Sequence, residues 1–282
     1  MKYVSRGLYQ IKNMRILLTQ LILLVLGNTM TFSQTYRAEY LMTYIRDSSE
    51  AEKRRIEKSF LFIENNEKVT YCTEGYLKSD SLKQLVNLGK ISAYDIIGNT
   101  RNIHQTKYYQ LLERRIPNPY FSVHERVSLS YFNYKVFPNL EWRVSIEKKQ
   151  ILNYTCTKAT TSYAGRKYIA WFTPDIPIST GPYVFCGLPG LIVEIYDETN
   201  SYKFELKEFQ NFKGYIPPKP AFSDNSIETS HRKVFEIRED LRKNPLDFES
   251  RMYDMESFKG KIPPDRVKYL LSDNNPLELR VD

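Results

Sequence analysis

Histidine and cysteine, the residues that most often build catalytic and metal sites, are scarce, with three of each in 282 residues. His104, His124 and His231 form no HExxH pattern and no close pair, so packing or surface roles are expected. Cys72, Cys156 and Cys186 lack the Cys-x-x-Cys spacing of zinc and thioredoxin-type sites. No metal or cofactor is expected. Gly-x-Ser-x-Gly, a phosphate loop and a dinucleotide-binding Gly-x-Gly-x-x-Gly are also missing, which removes support for common hydrolase and nucleotide-binding designs. The apolar run Ile16–Leu26 is shorter than the roughly 20 residues a membrane helix needs. There is no arginine-rich block, no zinc finger and no helix-turn-helix signature, so no nucleic-acid partner is expected.

What that apolar run does fit is an export signal. Arg15 precedes it, and Thr31-Phe-Ser33 places small residues for cleavage before Gln34. Met14 makes a better start than Met1, and no transmembrane segment is expected after cleavage. Losing residues 1–33 removes four basic residues and no acid, which lowers the formal charge from +8 to +4. The remaining charges are interleaved, as on an evenly solvated surface.

The mature chain is rich in aromatic residues, with 22 Tyr and 15 Phe. These and the β-branched residues suit a pleated, half-buried surface. Strands are expected at Tyr36–Arg46, Ser59–Ile63 and Lys68–Cys72, the last two joined by a tight Asn65-Asn66 turn. Ser79 or Asp80 can cap a helix carrying Leu82, Leu85 and Val86, with Gly89 as its stop. Residues 90–119 are less periodic, with short strands expected near Ile103 and Tyr108.

Val127–Phe137 and Trp142–Lys148 read as further strands. In the second, Trp142, Val144 and Ile146 alternate toward the core, and Lys148–Gln150 turns into Ile151–Ala159. Ala164-Gly165 turns into a strand from Arg166 to Phe172, and Tyr202, Phe204 and Leu206 alternate in a later one. Prolines from Pro217 to Pro220 end the sheet. Ser230 can cap a helix that stops at Pro245.

These signals predict a mainly β (α+β) fold: a strongly curved antiparallel sheet or partly open β-barrel, with a packed helix and a helical C-terminal segment. The expected organisation is a signal peptide over 1–33, a β domain over 34–216, and a Pro-rich linker with helical segment over 217–282.

The densest pairing of turn and strand residues lies around Gly187, Leu188, Pro189, Gly190, Leu191 and Ile192. Leu188–Leu191 fits a type II turn with Gly190 at positive φ, whereas Gly187 needs no such freedom. In the strand that follows, Leu191, Val193 and Ile195 should share one face, and Ile192, Glu194 and Tyr196 the other. Three polar groups near this loop are candidate ligand-binding residues. Arg166 suits a carboxylate or phosphate, or a structural hydrogen bond. Asp175 suits ligand contact or turn organisation, and Glu194 stands alone on its strand. Export also suggests a disulfide between Cys156 and Cys186, leaving Cys72 as a buried free thiol.

The hexapeptide Gly187-Leu-Pro-Gly-Leu-Ile192 is the namesake of the GLPGLI family of exported Gram-negative bacterial proteins, which the chain resembles. Cys156-Thr-Lys-Ala159, Gly165-Arg166 before Ala170-Trp171, Ile176-Pro177 and Gly181-Pro182 match the family's other habits. The resemblance implies an exported, β-rich protein of the periplasm or outer membrane, and carries over no reaction or catalytic residue. The function expected is non-enzymatic binding of an apolar, lipid or peptide ligand, or of an envelope protein partner, in the concave face of the sheet. The alternative is a hydrolase or peptide-processing enzyme with dispersed catalytic residues.

Overall fold

The aromatic and β-branched residues from Thr35 onward form strands, and a computed structural model shows how they join. It describes residues 35–90, 106–128, 130–212, 226–252 and 271–281, together with Pro218, Pro220 and Lys268. All of these belong to one unit, Gln34–Asp282. β1 (Thr35–Ile45), β2 (Arg54–Glu64) and β3 (Lys68–Thr73) make a meander, followed by α1 (Glu74–Asn87). Then come β4 (Gln110–Arg115), β5 (Phe121–Val127), β6 (Ser130–Val136), β7 (Arg143–Ile151), β8 (Tyr154–Tyr163) and β9 (Arg166–Thr173). β10 (Leu191–Asp197), β11 (Tyr202–Asn211), β12 (Ile227–Glu228), α2 (His231–Lys243) and α3 (Pro245–Met252) complete the described elements.

All the strands join one sheet in the order β12-β6-β5-β4-β3-β2-β1-β11-β10-β9-β8-β7. Pairing is antiparallel except between β12 and β6. The curvature can be read from side chains. β5 and β8 stand eight places apart in this order, about 38 Å in a flat sheet at ~4.8 Å per strand. Yet the Arg238 guanidinium of α2 reaches Glu125 of β5 at 3.6 Å and Glu278 at 2.7 Å, and Tyr163 of β8 donates to that same Glu278 at 2.8 Å. Both arms of the sheet therefore bend round α2, with β12 and β7 as its edge strands among the described residues.

The inner face holds the main core, where Ala38, Tyr40, Leu61, Ile63, Leu112 and Phe204 are almost wholly buried. On the outer face α1 covers a smaller cluster of Phe60, Phe62, Cys72 and Leu111 through Tyr76 and Leu77. No helix among the described residues is long and apolar enough to cross a membrane.

Several local expectations change. α1 starts at Glu74 rather than near Ser79, because the Thr73 hydroxyl caps it by accepting from the Tyr76 amide at 3.2 Å. The strand expected over Val127–Phe137 is β6, while Val127 ends β5, a strand that was not expected, with Ser128 at φ 55 in the turn between the two. β7 is an edge strand, so Val144 is 56% and Ile146 96% exposed instead of facing the core. The turn after it falls at Leu152, with φ 53, and not at Lys148–Gln150. A bulge between Ile192 and Glu194 breaks the expected alternation in β10 and sets Ile192 opposite Phe172 and Ile195 opposite Ala170. The strand expected near Ile103 lies outside the described residues. The Asn65-Asn66 turn, with both residues at positive φ, and the Ser230 cap of α2 are as expected.

Candidate functional site

The concave face expected to hold a ligand is filled by the chain itself. After β9 the chain folds back across this face and buries Tyr183, Val184, Phe185 and Leu188, with the Phe185 ring 4.7 Å from that of Tyr168. Leu188–Leu191 is not a type II turn. The Gly190 amide donates to Leu188 O at 2.8 Å, and the Leu191 amide donates to Ile176 O at 3.0 Å instead of closing the turn. Gly190 sits at φ 150, and Gly187, unexpectedly, at φ 97.

The C-terminal segment fills the rest of the bowl. Arg166, 7% exposed, donates to the Asn275 side chain at 2.5 Å, to the carbonyls of Pro276 and Leu277 at 2.7 and 3.2 Å, and to Asp197 at 3.0 Å. Its forked donors thus hold a carboxylate, as the sequence suggested, but one belonging to β10, and otherwise the chain's own tail. Glu278, 3% exposed, accepts from Tyr163, Tyr183 and Arg238 and lies 3.0 Å from His231 Nε2. Burial alone would raise its carboxyl, but Arg238, His231 and Tyr183 outweigh that and hold it well below the ordinary carboxylate range.

The other two candidates lie elsewhere. Glu194 is on the outer face, ion-paired with Lys149 at 2.6 Å and Lys203 at 3.1 Å. Burial would raise its carboxyl, yet the two lysines lower it. Asp175 is exposed in the turn after β9, its amide donating to the Thr173 hydroxyl at 3.2 Å. Arg166 and Glu194 are therefore on opposite faces, and the three residues do not form one site.

Cys72, Cys156 and Cys186 are all free thiols, so the expected Cys156–Cys186 bridge is not present in this structure. Cys156 pairs with Lys149 on the outer side of β8, near Glu194, whereas Cys186 belongs to the inner loop near Arg114. The sheet lies between them. Burial pushes the Cys156 thiol up to about 11 and raises that of Cys72 further. Alkylating native protein should spare both, and alkylating denatured, unreduced protein should label all three cysteines. A cross-linked 156–186 peptide in the digest would contradict this placement.

An open depression lies instead on the outer face, between α1 and strands β4 to β6. This cleft, whose roughly 420 Å³ of empty space includes open solvent, is lined by Tyr76, Ser79 and Asp80 of α1, Tyr109, His124 and Arg126 beside and on β5, and Tyr131 and Asn133 of β6. Strand parity explains the set: Phe121, Val123 and Val127 face the core, so His124 and Arg126 point outward. Their cross-strand partners on β6 are Asn133 and Tyr131.

His124 Nδ1 lies 2.7 Å from Asn133 Oδ1, and Nε2 lies 3.6 Å from Glu113, which also pairs with Lys68 at 2.5 Å. Nδ1 is thus held by Asn133, and Nε2 lies within ion-pair distance of Glu113. Among the described residues no three His, Cys, Asp or Glu side chains gather as a metal cage. The cleft was not legible in sequence, because its residues come from three segments that only β-pairing and the α1 packing bring together. The alternation Ser122, His124, Arg126 was the one available signal.

A family model described as "Protein of unknown function (Porph_ging)" matches residues 164–194, the stretch that contains the Gly-Leu-Pro-Gly-Leu-Ile hexapeptide. No curated protein matches the chain. Among solved structures, PNGF-II in a C2 space group is similar with a TM-score of 0.50 and 16% identity, covering 72% of this chain and 32% of that one. PNGF-II in a P21 space group gives 0.48 at the same identity and coverage. The LolA superfamily protein NE2245 from Nitrosomonas europaea gives 0.27 at 6% identity, covering 67% of this chain and 90% of that one. This chain thus spans about a third of the PNGF-II chain, and that likeness is one of fold.

Proposed function

We propose that this is an exported, non-enzymatic binding protein of the Gram-negative envelope, whose ligand seat is the outer-face cleft beside α1. The observation that carries this is the contrast between the two faces. The inner bowl is filled by the chain's own loop and C-terminal segment, whereas the outer cleft presents three tyrosines and a few polar groups to solvent. Tyrosine walls offer large apolar area with polar tips, as suits a small amphipathic ligand. Export rests on the signal-like run before Gln34.

Native mass spectrometry of protein purified from its own host is the test. The mature mass should begin within a few residues of Gln34, and a small molecule should co-purify. Ser79→Trp, which fills the cleft from a half-buried position on α1, should abolish that adduct. An adduct unaffected by this substitution, or a bare monomer in both samples, would overturn the cleft as the seat.

A further inference from the structure

We propose that the cleft takes the carboxylate of a ligand with an apolar or aromatic body, with Arg126 as its anchor; this deepens, and rests on, the reading of the cleft as the binding seat. The Arg126 guanidinium lies 4.1 Å from the centroid of the Tyr109 ring. A guanidinium over a ring face can still offer its N–H donors, and these match a carboxylate in bidentate geometry. Among the described residues no carboxylate lies within ion-pair distance of Arg126.

The other charges at the cleft are accounted for. The Glu125 carboxylate is turned to the inner face, where it accepts from Tyr134 at 2.5 Å and pairs with Arg238. Glu113 is held by Lys68, and His124 lies between Glu113 and Asn133. Asp80 also lines the cleft, but it is buried, at 6% exposed. The more accessible charge there is therefore the half-buried Arg126 guanidinium. Around it Tyr76, Tyr109 and Tyr131 line the cleft with aromatic surface.

A carboxylate joined to an apolar body could be the head of a fatty acid or the C-terminus of a peptide. Calorimetric titration of the mature chain with dodecanoate, N-acetylphenylalanine and N-acetylphenylalaninamide separates these. At least one of the two acids should bind, the amide should bind at least tenfold more weakly than its acid, and Arg126→Gln should weaken acid binding at least tenfold. Arg126 is a half-buried outer-face residue, so an unchanged thermal midpoint in this variant will show that the fold is intact. Which acid binds identifies the source.

An amide that binds as well as its acid, or acid binding indifferent to Arg126→Gln, overturns the anchor and leaves the seat intact. Failure of both acids has the same meaning if a host-derived adduct still depends on Ser79. Failure of both acids with no such adduct overturns the anchor and the seat together.

Discussion

Gly190→Ala should destabilise the protein by roughly 3–5 kcal/mol, an overpacking cost added to a backbone conformation that alanine resists. A Cβ built at Gly190 would stand 2.0 Å from Thr173 O and 3.1 Å from Pro174 Cα, both backbone atoms that cannot swing away. The backbone itself sits at φ 150. Gly187 is the internal control. It too has positive φ, but its added Cβ would meet nothing nearer than Trp142 at 3.5 Å, so Gly187→Ala should cost only about 1 kcal/mol. Urea denaturation midpoints measure both. If the two substitutions cost the same, the close approach of the Gly190 backbone to β9 is not what demands glycine there.

Glu278→Ala should cost on the order of 3–5 kcal/mol, because it leaves Arg238 and His231 facing each other without the anion between them. It also strips the acceptor from Tyr163 and Tyr183. The same network predicts acid sensitivity. The folded carboxyl is held below its unfolded value of about 4.3, so the unfolded chain binds the proton first as pH falls. Stability from this group is fully present above roughly pH 5 and is lost progressively below about 4.3. Glu278→Gln keeps the shape and removes the charge, so it should flatten that part of the pH profile. If its unfolding midpoint falls as steeply between pH 5 and 3 as that of the parent, Glu278 is not the group responsible.

Both predictions concern contacts that close the inner bowl. Residues near the chain end, Asn275 and Glu278, are tied to β8, β9 and α2, and Tyr202 donates to Asn275 O at 2.6 Å. The tail therefore works as part of the core. Arg166 illustrates the consequence. Read locally it was a candidate for an anionic ligand, and its geometry does suit oxygen acceptors, but besides Asp197 these arrive from residues 109 to 111 positions later.

Much of the secondary structure was legible because it rests on neighbours in sequence. The Asn65-Asn66 turn, the Ala164-Gly165 turn and the Ser230 cap each depend on a few adjacent residues, and all three formed. Errors came where an edge or an inserted residue changes the meaning of alternation. Val144 and Ile146 look like core residues until β7 is known to have a neighbour on one side only. Leu191, Val193 and Ile195 look like one face until a bulge shifts the register. Cys156 and Cys186 looked bridgeable because chain separation says nothing about which side of a sheet each thiol takes.

Period-two alternation and turn chemistry are local properties, and they mark this protein as a mainly β, antiparallel chain with a helical C-terminal part before any long-range contact is known. Which face stays open follows instead from long-range packing. Curvature brings β5 and β8 round α2, the central loop and the tail fill the bowl, and the accessible cleft is left outside, beside α1. That outcome depends on contacts between residues more than a hundred positions apart, whose free energy exists only after the sheet has curled and is encoded in no single stretch.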